Sequence, residues 1–180
     1  MRRLYDWEMD AARTVFGESI RYARVRIHEA VSWPNTLFHF GQRVRGCRCE
    51  PECVNAVAIG YHCFFPLRLP VDPPQAAAQE DAYVAWLVHE LAHVWQFERC
   101  GPRYITQALR AHLCLGSAVY ALDAPPSLRF KRSIGWTLLD LNPEQQGSLA
   151  ETWYLARRSP ETAPEFLVAA RPYIEDFQRF

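Results

Sequence analysis

Net charge is missing from this 180-residue chain, in which 20 Lys and Arg balance 20 Asp and Glu. Without a basic excess there is no global field to draw in DNA, RNA or an anionic membrane, so no nucleic acid and no membrane is expected as a partner. Lysine is also scarce, Lys131 being the only one. The bias toward arginine reads as genomic base composition, because no local motif uses it.

Long apolar runs are absent too. The longest, around 82–88 and 113–122, fall well short of the ~20 residues that span a bilayer. The N-terminal stretch MRRLYDWEMDAARTVFGESI carries Asp6, Glu8 and Asp10, where a secretory signal needs unbroken apolar sequence. A protein that is cytoplasmic as synthesised is expected. No Gly-rich phosphate loop and no G-x-S-x-G elbow is found, so hydrolysis through a side-chain nucleophile has no support.

Six cysteines are present, Cys47, Cys49, Cys53, Cys63, Cys100 and Cys114. A chain with a full core and no signal sequence does not need disulfide staples, so reduced thiols are the default. The segment GCRCEPEC, with His62 and Cys63 further on, only partly fits the paired spacing of a structural zinc site. Free thiols are expected there, with a second zinc or a disulfide formed after export as the alternatives.

What the chain does have is 49% apolar and 13% aromatic residues, the composition of a packed globule, expected as one domain over 1–180. Leu4, Trp7, Ala11, Val15 and Ile20 predict a helix over 4–22 interrupted near Gly17. ARVRIHEA (23–30), TLFHFG (36–41) and VNAVAIGYHCFF (54–65) predict strands, with His28 and His39 each alone on one. RLPVDPPQ (68–75) marks a connection. From Ala76 to Arg99 there is no Gly or Pro and apolar residues lie on nearly every side, which predicts a helix inside the domain.

A further helix is predicted over 104–122, tolerating Gly116 and ended by DAPPS, and another over 141–158, with Asn142 as cap and Pro143 at its first position. Two short helical pieces, 164–170 and 172–180, close the chain. The resulting expectation is an α+β fold: a small N-terminal sheet of three or four strands, a buried helix, and a mainly helical C-terminal half.

The predicted buried helix contains His89, Glu90 and His93, groups that are costly to bury unpaired. Histidines four apart share a helix face and can direct two imidazoles at one ion, with the intervening glutamate as base toward a metal-bound water. The plainer alternative is two core histidines hydrogen-bonded to backbone or carboxylates. For a third ligand Glu144 is favoured, since it opens a helix in which Gly147 lets that helix approach closely; His112 and Glu151 remain alternatives.

Three separated segments, VFGESIRYARVRI, LVHELAHVWQFERCG and LNPEQQGSLAETWY, together resemble minimal zincin-like metallopeptidase domains encoded beside bacterial contractile injection systems, including type VI secretion spike genes. The resemblance implies a zincin-like, gluzincin-like site with Zn2+ held by His89, His93 and Glu144, and Glu90 as the catalytic base. It implies a protein or peptide substrate, a secretion-spike protein as partner, and export through a contractile system without a signal peptide. The cysteine-bearing segment departs from the pattern. In similar peptidases a tyrosine or histidine steadies the oxyanion; Tyr120 is the choice here, with Tyr154 and His112 as alternatives. Rival readings are a catalytically silent, zinc-stabilised docking module and a secreted antibacterial effector.

Overall fold

The computed structural model describes residues 1–36, 55–73 and 78–179. The N-terminus is tied down by charge. Arg2 donates to both carboxylate oxygens of Glu8 at 2.6 and 2.7 Å and to Glu29 at 3.1 Å, while Glu8 also accepts from the Tyr5 backbone N–H at the start of helix α1 (Asp6–Phe16). α1 is shorter than the predicted 4–22 because Gly17, at φ 56, turns the chain out of the helix.

A mixed three-stranded sheet follows, from β1 (Arg26–His28), β2 (Val57–Ile59) and β3 (His62–Phe64) in the order β1-β3-β2. β1 and β3 are parallel, β3 and β2 antiparallel. The predicted 54–65 strand is therefore a hairpin, and Gly60 at φ 63 makes its turn. Most of the predicted strand over 36–41, with His39, lies outside the described residues, as do Cys47, Cys49 and Cys53. His28 is not alone: its Nε2 lies 2.9 Å from Nδ1 of His62 on the neighbouring strand. Cys63 is a buried free thiol, while Cys100 and Cys114 are exposed and free.

Helix α2 (Ala78–Cys100) is the axis of the fold, buried without interruption from Leu87 to Gln96. Each large apolar side chain fully buried along it contributes ~1.5–3 kcal/mol. α3 (Arg103–Leu115) stops at Gly116 (φ 58) and continues only as a 3-10 turn, Gly116–Tyr120. The reading of Gly116 as tolerated inside one helix is thereby corrected: at a positive φ the glycine terminates it.

α4 (Pro125–Ser133) begins on the prolines read as a terminator. A proline can also open a helix, where its missing N–H has no partner to lose. Helix α5 (Pro143–Arg158) has the predicted cap, with the Asn142 side chain accepting from Gln145 N–H at 2.9 Å and Gln145 returning the bond at 3.2 Å.

The last two predicted pieces are one helix, α6 (Pro164–Arg179), running through Pro172. Ala169, Ala170, Tyr173, Ile174 and Phe177 are all buried, and packing of that stripe outweighs the hydrogen bond the proline removes. Phe177 meets Trp95 of α2 and Phe16 of α1 with ring centroids 4.9 and 5.1 Å apart. The fold is α+β, with one helix and the small sheet first and mostly helix thereafter. No helix among the described residues is long and apolar enough to cross a membrane.

Candidate metal centre

α2 and α5 pack against each other, and this contact brings His89, His93 and Glu144 together although up to 55 residues separate them in sequence. The imidazoles face the same way because they are one turn apart on α2. Glu144 arrives on the first turn of α5, where a carboxylate also complements the helix N-terminus. All three are buried, and their donor atoms lie within 4.8 Å of one another.

Glu144 Oε2 is 3.4 Å from His89 Nε2 and 3.5 Å from His93 Nε2. Donors held tetrahedrally at ~2.1 Å from one ion would be ~3.4 Å apart. The group is thus able to hold a metal ion. Gly147, one turn along α5 from Glu144, makes the approach feasible, since a Cβ there would sit 2.7 Å from His89 Nε2.

The surrounding side chains orient the rings. Glu151 Oε2 lies 3.1 Å from Nδ1 of His89, the ring nitrogen facing away from Glu144. Gln96 Oε1 lies 2.9 Å from Nδ1 of His93. His112 meets the other oxygen of Glu144, Nε2 to Oε1 at 3.1 Å. His112 and Glu151, weighed as third ligands, therefore flank the group. Gln96 and its partner Gln146 were not singled out from the sequence, although Gln96 is three residues after His93 and so on the same face.

Electrostatics match this geometry. Burial alone would lower the His89 pKa, but hydrogen bonds to Glu144 and Glu151 outweigh it and hold the value at about 10. His93 is raised as well, burial being outweighed by Glu144. Burial would raise Glu144, yet the three imidazoles pull it well below the ordinary carboxylate range.

Glu90 is different. It is 4% exposed, its Oε2 has no hydrogen-bond partner among the described residues, and burial pushes its pKa above the ordinary 4.5. A hydrogen-bonded cluster of core histidines accounts for His89, His93 and Glu144, but leaves this buried oxygen uncompensated at a cost of ~1–3 kcal/mol or more. A ligand or water in the adjacent cleft would satisfy it.

That cleft has a volume of about 690 Å³ and exposes His89, Glu90, His93 and Glu144 in its lining. One side is formed by β2, which lies at one edge of the sheet among the described residues, and the other by Ile105 and Leu109 of α3. Tyr120 also lines it, with its ring 6.1 Å from that of His89 and 5.4 Å from that of His112. Tyr154 is not among the lining residues; it is buried beside Asp81. Tyr104 is held by donating to the Ala58 carbonyl at 2.7 Å.

No family profile matches the chain. In an alignment of 167 positions that covers 87% of this chain, it is 26% identical to VgrG2b, a type VI secretion system spike protein of Pseudomonas aeruginosa, and it spans 13% of that protein. Among solved structures, the effector domain of Pseudomonas aeruginosa VgrG2b superposes with a TM-score of 0.57 at 25% identity, covering 91% of this chain and 79% of that one.

Proposed function

We propose that the chain is a secreted antibacterial effector domain of the type VI secretion kind, a single zincin-like unit over 1–180, and that it hydrolyses peptide bonds with the help of zinc. The similarity to the effector domain of a secretion spike protein supports the delivery context, in which a spike protein is the partner and no signal peptide is required. The buried His-His-Glu group supports the chemistry.

One observation carries the enzymatic reading: the unpartnered Oε2 of Glu90, buried in the wall of the cleft beside the three donors. His89 Nε2, His93 Nε2 and Glu144 would hold the ion, an N/O donor set that zinc accepts in catalytic sites with one position open to water. Zinc bound there supplies Lewis acidity and lowers the pKa of a coordinated water.

The chain's own residues do the rest. Glu90 accepts the proton from the attacking water at its free oxygen and passes it to the departing amine. Tyr120, which lines the cleft and is partly exposed, donates a hydrogen bond from its hydroxyl to the oxygen that gains charge as the carbonyl is attacked. Strand β2 and the apolar wall of α3, which line the cleft, hold the peptide.

The test compares wild type with Glu90→Gln for metal content, for peptide cleavage and for growth inhibition in a target compartment. The reading expects equal zinc, loss of cleavage and loss of toxicity in the variant. Zinc-loaded wild type that cleaves nothing across a broad peptide library would leave a metal-stabilised docking module as the better account.

A further inference from the structure

His93 is fixed by a chain of amides whose direction can be worked out from its far end. The side-chain N–H2 of Gln146 lies 3.2 Å from the Leu138 carbonyl and 2.9 Å from the Leu141 carbonyl. Carbonyl oxygens only accept, so the nitrogen of Gln146 must face them and its Oε1 must face the other way. That oxygen lies 3.0 Å from Gln96 Nε2, which also donates to the Pro143 carbonyl at 2.9 Å.

Both hydrogens of the Gln96 amide are thereby committed, and its Oε1 is left facing His93 Nδ1 at 2.9 Å. An acceptor at that position requires Nδ1 to carry the proton. All members are deeply buried, Gln96 at 4% and Gln146 at 5% exposure, so no water competes. Three backbone carbonyls around the start of α5 therefore dictate, through two glutamines, which nitrogen of His93 is bare.

We propose that Gln96 and Gln146 are positioning residues that fix the tautomer of neutral His93, holding its proton on Nδ1 so that Nε2, the nitrogen facing Glu144, is the one left bare when the ring loses its second proton. The inference rests on the metal reading for its consequence, since a bare Nε2 is the form that ligates, but the tautomer itself does not depend on an ion. The arrangement also links the ligand on α2 to the helix that supplies Glu144, because Pro143, whose carbonyl holds Gln96, directly precedes Glu144.

Two measurements test this on the full chain. Long-range proton–nitrogen spectra of histidine-labelled protein, taken metal-free at a pH above the His93 titration, report which ring nitrogen is protonated. Chelator competition with zinc alone reports affinity. Wild type should show the proton on Nδ1. Gln96→Met should give mixed tautomers and about tenfold to a hundredfold weaker zinc binding.

Gln96→Glu, buried as the neutral acid with its O–H donating to the Pro143 carbonyl, keeps an acceptor opposite Nδ1 and should retain the wild-type tautomer, a rescue that general destabilisation would not produce. Gln146→Met touches no ligand, should shift the tautomer in the same sense as Gln96→Met, and serves as the readout if Gln96→Met does not fold. A proton found on Nε2 in wild type, or an unchanged tautomer in both methionine variants, overturns the inference. If wild type binds no zinc, the metal reading fails while the metal-free spectra still decide the tautomer.

Discussion

Gly147 faces the ring of His89 so closely that a Cβ on it would lie 2.7 Å from Nε2, 2.8 Å from Cε1 and 2.9 Å from Cδ2. No flexible end is available to give way, since both helices are packed and the ring is held from behind by Glu151. Gly147→Ala gains ~1 kcal/mol of helix propensity and loses the ring position. The expected outcome is a folded protein with a melting temperature near that of wild type and zinc affinity lower by about tenfold or more, measured by chelator competition.

Glu144→Ala and His112→Ala test which of the two completes the proposed ligand set. Removing Glu144 takes away the oxygen shared by His89 and His93, so purified Glu144→Ala should contain no stoichiometric zinc. Removing His112 costs Glu144 one hydrogen bond on its other oxygen, which should weaken zinc binding by about tenfold and leave the ion bound at micromolar protein. Metal analysis of the two variants side by side decides; zinc retained by Glu144→Ala and lost from His112→Ala would exchange their roles.

That His89 and His93 share a face is a local property of any helix, so the spacing alone carries it, and the cap at Asn142 is equally local. Glycines and prolines were read less well because their effect depends on position within an element. Gly116 ends a helix that its neighbours would continue, Pro125 opens one, and Pro172 is carried inside one by packing of Tyr173 and Phe177. The Glu151 contact to His89 and the Gln96–Gln146 chain join residues 50 or more positions apart. Such contacts are set by how α2 and α5 are rotated against each other, which no periodicity within either helix specifies.

Asp176 holds α4 to α6. It accepts from Arg132 at 2.6 and 3.1 Å and from the Leu138 backbone N–H at 3.1 Å, with only 7% of its side chain exposed. Asp176→Ala leaves the Arg132 guanidinium with only its bond to the Trp136 carbonyl and strips the buried Leu138 N–H of its side-chain acceptor. Because Arg132 retains some contact with solvent, the loss should be ~2–4 kcal/mol, toward the low side of values for broken buried pairs. Denaturant unfolding measures it, and zinc content should not change, since the pair lies outside the metal group.

Proton linkage distinguishes the metal-free protein from the loaded one. In the metal-free state His89 titrates at about 10 against an ordinary 6.5, so its contribution to stability is complete below pH 6.5 and is lost as pH rises toward 10. Glu144 is depressed below an ordinary 4.5, so its contribution is complete above 4.5 and is lost on acidification. The metal-free melting temperature should therefore be highest between about pH 4.5 and 6.5 and fall on the alkaline side. Zinc binds the deprotonated imidazoles and must displace the proton that His89, pushed up to about 10, still holds at neutral pH; His93 is raised in the same direction and adds to the release. Uptake at pH 7.5 in weak buffer should release about one to two protons per ion, and affinity should strengthen as pH rises from 6 to 8.5. Zinc binding with no proton release and no pH dependence would mean that the ion sits elsewhere.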